Sequence, residues 1–157
     1  MSRLKELRIE KGMTQKKASV LLGLSLRSYI TYENDESKIN TRKYRSLVRE
    51  LEEQTRLDEE HGILSIDMIR KTCRDTLSKY DVSYAFLFGS YAKGAATEHS
   101  DVDILISTKV SGLRFYEITE ALREALHKRV DLLEVQQLLD NRELTDEVLK
   151  YGVRIYG

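Results

Sequence analysis

The sequence predicts an α+β chain of two domains: an all-α first third, then a small α/β domain built on a mixed sheet with helices on one face. Three observations carry this. Charge sums to zero but is unevenly spread: residues 1–56 hold 13 Lys and Arg against 8 Asp and Glu, and residues 57–157 hold 13 against 18. The first third consists of short segments of helical periodicity, punctuated by Gly12 and Gly23 and preceded by hydroxyl residues that suit helix N-caps. The remainder alternates helical periodicity with apolar runs of strand length, two of which carry aspartates. The division is placed at 1–60 for the first domain with its connecting helix and 61–157 for the second.

Within the first domain, Arg3 to Lys11 reads as a helix with Leu4, Leu7 and Ile9 among charges, closed by Gly12. Thr14 suits the N-cap of a second helix, Gln15 to Leu22, and Ser25 that of a third, running to about Asn34. A fourth, from about Thr41 to Glu60, carries Tyr44, Leu47, Val48, Leu51 and Leu57 at helical spacing. Two short helices joined through Gly23-Leu24-Ser25 make a helix-turn-helix arrangement, whose second member enters the major groove of DNA.

The pattern Leu4-x2-Leu7-Arg8-x3-Gly12-Met13-Thr14-Gln15, then Gly23-Leu24-Ser25 and Tyr32-Glu33-Asn34, resembles the Cro and phage-repressor type of helix-turn-helix over residues 3–56. Ala18-Ser19 in place of Leu-Ala, and Asp35 where a glycine is common, depart from it. The resemblance implies double-stranded operator DNA as a partner. Gln15, Lys16 and Lys17 would then meet phosphates, and Arg27, Ser28 and Thr31 would reach base edges. Tyr29 and Tyr32 read as core. A helical bundle that only docks a partner or dimerises is the competing reading.

In the second domain, Ser65 caps a helix to about Tyr80, with Ile66, Ile69, Cys73 and Leu77 on one face. Strand 82–88, a Gly-Ser turn, a short helix through Lys93 and strand 102–107 follow. Then come a helix over 112–128 with Phe115, Ile118, Leu122 and Ala125 as its apolar stripe, strand 130–135, and a final helix from about Gln136 to Tyr151. Gly89-Ser90 at a strand end offers backbone amides and a hydroxyl to phosphate oxygens. Ten residues later, Asp101 and Asp103 flank Val102 and point to one side, because strand side chains alternate. Two same-side carboxylates beside a phosphate cradle suit Mg²⁺, a hard cation that shares its ligands between protein and phosphates.

Gly89-Ser90-x10-Asp101-x-Asp103, with Lys93-Gly94 and Ser100, resembles the polymerase-β-like nucleotidyltransferases over roughly residues 64–157. That resemblance implies two-metal nucleotidyl transfer with ATP as substrate. Asp101, Asp103 and a third carboxylate, Asp131, would hold Mg²⁺. Gly89, Ser90 and Lys93 would meet the triphosphate, and Asp131 would complete the second metal site or deprotonate the attacking hydroxyl. Minimal members of this kind are often antitoxins that transfer AMP to a tyrosine of a HEPN-fold ribonuclease toxin, in operons that regulate themselves. An antitoxin that modifies its toxin and represses its own promoter is therefore expected, assembled as a homo-oligomer or with the toxin. A small-molecule nucleotidyltransferase of the aminoglycoside kind and a DNA-binding regulator with a non-catalytic transferase fold are the alternatives.

Composition narrows the setting. Cys73 is the sole cysteine, so no intrachain disulfide or cysteine metal cluster forms, and His61, His99 and His127 lack ligand spacing. No apolar run approaches a membrane span, and Met1 to Lys5 lacks the core of a signal peptide, so a cytoplasmic location without membrane partners is expected.

Overall fold

In the computed structural model, which describes residues 1–157, every helix of the first third begins on a hydroxyl side chain. Ser2, Thr14, Ser25 and Thr41 accept from the amides of Lys5, Lys17, Ser28 and Tyr44. They start α1 (Arg3–Glu10), α2 (Gln15–Leu21), α3 (Leu26–Asn34) and α4 (Arg42–Gln54). Each such cap is worth about 1 kcal/mol, which matters for helices too short to persist alone. Their apolar faces close one core of Leu4, Leu7, Ala18, Leu22, Tyr29, Tyr44, Leu47 and Leu51. Tyr44 ties α4 to α1 by accepting from the Leu4 amide at 3.2 Å. Both sequence departures are accommodated. Ser19 donates its hydroxyl to the Lys16 carbonyl at 2.7 Å, and Asp35 opens a 3₁₀ turn by accepting from Ser37.

One carboxylate is buried in this unit. Glu33 has a fully covered side chain and receives Arg8 through Nε at 2.8 Å and Nη2 at 3.0 Å, with the Gln15 amide at 2.9 Å. Burial by itself would push its pKa up. The bonds from Arg8 and Gln15 outweigh that and hold it below the ordinary value.

The chain divides into two compact units, Met1–Arg56 and Leu57–Gly157. α4 stops at Gln54, six residues before the expected Glu60: Thr55 caps it, and Leu57 joins the apolar cluster of the second unit.

That second unit runs α5 (Ile66–Leu77), β1 (Val82–Phe88), α6 (Gly89–Ala92), β2 (Val102–Thr108), α7 (Leu113–Leu126), β3 (Val130–Glu134), a 3₁₀ turn (Val135–Leu138), α8 (Arg142–Tyr151) and β4 (Val153–Tyr156). The sheet order is β3-β2-β1-β4. β1 runs antiparallel to β2 and β4, whereas β2 and β3 are parallel, the crossover between them being α7. Ile69, Cys73 and Leu77 of α5 meet Ile118, Leu122 and Leu126 of α7 over Ala85, Leu87, Ile104, Ile106, Leu132 and Ile155. Burial pushes the Cys73 thiol up to about 12, so it serves as an inert core side chain.

Three expectations need correction. Leu126, not Ala125, completes the buried stripe of α7; Ala125 faces solvent. The final helix is broken: Glu134 caps the 3₁₀ turn, Asn141 Oδ1 accepts from the Leu144 amide to restart it, and Thr145 bonds the Leu138 carbonyl across the break. β4 is a strand the sequence reading lacked, its four residues being too few to show a period.

Replacing Glu33 by Ala leaves the largely buried Arg8 without its carboxylate, with the Met13 carbonyl left to accept from it, and should cost the helical unit about 3 kcal/mol. Hydrogen exchange of α1–α4 amides should accelerate while the β-sheet amides keep their protection. In the wild type the Glu33 contribution is complete above the unfolded carboxyl pKa near 4.5, and is lost as pH falls through its lower folded value.

Candidate active site

The parallel register of β2 and β3 sets Asp103 directly beside Asp131, and the antiparallel register with β1 sets it beside Phe88, just before Gly89. Asp101 stands one residue before β2 begins, near enough for its charge to act on Asp103. Topology thus collects the three carboxylates and the Gly-Ser turn at one end of three neighbouring strands. Asp101 and Asp131 are exposed, and Asp103 is partly buried.

Burial raises the Asp103 pKa to about 6, with the charges of Asp131, Asp101 and Glu147 adding to the rise and Lys93 opposing it. Gly89 makes room for that carboxyl. It adopts φ +68, and a Cβ there would fall 2.8 Å from Asp103 Cγ, closer than any real contact. Phe88 supplies no side-chain cap to α6, which leaves the first amides of the Gly89-Ser90 turn for another acceptor.

Neighbouring cations are already engaged. Arg129 Nε donates to Asp101 Oδ1 at 3.1 Å. Lys93 is ion-paired with Glu147 and sits 5.3 Å from the centre of the Tyr151 ring, so α8 holds the ammonium that the sequence reading assigned to phosphate. With Asp101 turned to Arg129, no three His, Cys, Asp or Glu side chains close round one point. The donor set nevertheless fits a hard divalent cation. Its oxygens are anionic, the strand register brings them together, and their mutual repulsion is relieved by positive charge between them. Arg129, Glu147 and Tyr151 were not legible as site residues, since only the tertiary fold brings them there.

The residues expected at DNA lie on α2 and α3. Lys16, Lys17, Arg27 and Thr31 are exposed. Gln15 gives its amide to Glu33, Ser28 accepts from the Ser25 hydroxyl at 2.9 Å, and Thr31 donates to the Arg27 carbonyl at 3.0 Å. The side chains of Lys16, Lys17 and Arg27 are exposed and take part in none of these bonds.

Comparison with known proteins gives this geometry a family. Residues 71–157 match the model described as polymerase beta nucleotidyltransferase, and residues 4–56 match a helix-turn-helix model. The chain belongs to the polymerase β nucleotidyltransferase family. It is a nucleotidyltransferase joined to an N-terminal helix-turn-helix domain. A putative protein adenylyltransferase of Methanocaldococcus jannaschii is 38% identical over 69 residues, 43% of this chain and 70% of that one. Protein adenylyltransferase MntA of Shewanella oneidensis is 30% identical over 96 residues, 60% of this chain and 66% of that one. A toxin–antitoxin crystal structure with AMP-PNP aligns at 27% identity with a TM-score of 0.47, over 60% of this nucleotidyltransferase and 74% of that chain. No helix is long and apolar enough to cross a membrane.

Two outcomes are expected. Gly89→Ala should cut transfer by about 100-fold, because it displaces the Asp103 carboxyl by the order of an ångström, while far-UV circular dichroism is retained. Asp103 should also register in metal-free stability. Its folded pKa is raised, so its contribution is fullest below the unfolded value near 3.8 and is lost as pH rises through about 6. Asp103→Asn should therefore exceed the wild type in urea stability at pH 8, by on the order of 1 kcal/mol. The difference should vanish near pH 3.

Proposed function

We propose that this nucleotidyltransferase is an antitoxin that transfers AMP from ATP to a tyrosine of a HEPN-fold ribonuclease toxin, and that its first domain binds operator DNA. The observation that carries the catalytic part is the register of Asp103 with Asp131 over Gly89, with Asp101 just before β2. Asp101, Asp103 and Asp131 would hold Mg²⁺, which when bound neutralises the triphosphate and eases departure of pyrophosphate. The Gly89 and Ser90 amides would hold the outer phosphates. Asp131, exposed at the strand edge, would take the proton of the tyrosine hydroxyl as its oxygen bonds to the α-phosphorus and the bond to pyrophosphate breaks. A protein acceptor is favoured by the relatives, which are named protein adenylyltransferases. The HEPN partner follows from the resemblance of the Gly-Ser and Asp-x-Asp signature to minimal antitoxin transferases.

Intact-mass analysis of the partner after incubation with this protein, ATP and Mg²⁺ should show gains of whole AMP units, and Asp131→Ala should remove them. An unshifted mass with toxicity still neutralised would mean inhibition by binding alone. Arg27→Ala should abolish operator binding in a gel-shift assay yet leave transfer intact. Wild-type binding should weaken steeply with salt, as phosphate contacts demand.

A further inference from the structure

The loop that delivers Asp101 is tied down by a side chain that the proposed chemistry does not use. α7 ends at His127, which adopts the left-handed φ of 56° uncommon for a residue with a side chain. Lys128 follows and is completely buried. Its Nζ donates to the Glu98 carbonyl at 2.8 Å and to the His61 carbonyl at 3.0 Å. Burying an ammonium is costly, and bonds of this kind are what make it tolerable. The first lands on the segment leading into β2, the second on the stretch before α5. In the segment before β2 the Ser100 hydroxyl accepts from the Thr97 amide at 2.8 Å, and Glu98 Oε1 accepts from the Gly62 amide at 3.0 Å. Just beyond Asp101, the Val102 amide donates to the Arg129 carbonyl at 2.8 Å. Lys128 and Arg129 therefore fix the backbone on both sides of Asp101.

We propose that Lys128 is a positioning residue for the metal-binding carboxylates: by fixing the Glu98 backbone, it brings Asp101 to β2 already aligned with Asp103 and Asp131. This rests on the metal-dependent reading above. Lys128→Met keeps the length of the stem and removes the donors. In the full-length protein, Mn²⁺ affinity measured by calorimetry should fall by about tenfold or more, the range seen when supports of metal ligands are removed. Amides of residues 95–101 should exchange faster with α5 and α7 unchanged, and kcat at saturating metal should fall far less than the affinity. A folded variant with wild-type Mn²⁺ affinity and wild-type exchange in that loop overturns the proposal. Should the methionine variant not fold, Lys128→Arg decides on the same readouts. Its wider head cannot meet both carbonyls equally, so an intermediate loss supports the proposal and wild-type values overturn it. Failure of the wild type itself to bind Mn²⁺ would instead overturn the metal-dependent reading.

Discussion

Repulsion among carboxylates is the constraint on which the second unit turns. Parallel pairing of β2 with β3 makes Asp103 and Asp131 neighbours, and Asp101, just before β2, adds its charge. A strand register shifted by one residue would send Asp103 into the core of Ile104, Ile106, Ile118 and Leu122, so the apolar face holds the charged face in place. Gly89 belongs to the same arrangement, since its missing side chain is the space Asp103 occupies. The cations nearby soften the repulsion without cancelling it: Arg129 takes Asp101, and Glu147 takes most of what Lys93 could offer.

Much of this was legible because the signals are local. Hydroxyl caps at Thr14, Ser25 and Ser65 mark helix starts within a residue, and apolar runs mark β1, β2 and β3. The Gly-Ser and Asp-x-Asp pieces are short-range too, and strand alternation alone predicts that the two aspartates share a side. What escaped depends on partners distant in sequence. β4 exists because Ile155 reaches the core beside β1, and four residues carry no period to announce it. The break before α8 depends on Asn141 and Thr145 capturing backbone groups that an unbroken helix would have used internally. Arg129, Glu147 and Lys128 read as ordinary surface charges until the sheet order places them, and Lys128 is wholly buried.

The molecule buries carboxylates in two ways, and the contrast separates a structural group from one suited to chemistry. Glu33 is covered completely, yet Arg8 and Gln15 satisfy it and keep it ionised, so its charge is spent on joining α1, α2 and α3. Asp103 is only partly covered; burial first, and then the charges of the acids around it, drive its pKa up to about 6. The first arrangement is complete as it stands. The second is electrostatically unfinished, and positive charge brought among the acids would relieve it.

That contrast bears on the reading in which the transferase fold is kept only as a scaffold for a DNA-binding regulator. A scaffold gains nothing from Asp103. An asparagine or a small apolar residue there would avoid both the desolvation and the repulsion, and Gly89 would no longer need to leave room for a carboxyl. The structure instead keeps all three acids, the glycine that seats one of them, and a buried lysine holding the loop that brings the first. Each costs stability in the absence of a bound cation, or constrains the backbone toward one geometry. Functional sites are where local rules of stability are broken together, and here the departures converge on the end of β2. The first unit shows no comparable tension, its one buried acid being fully paired.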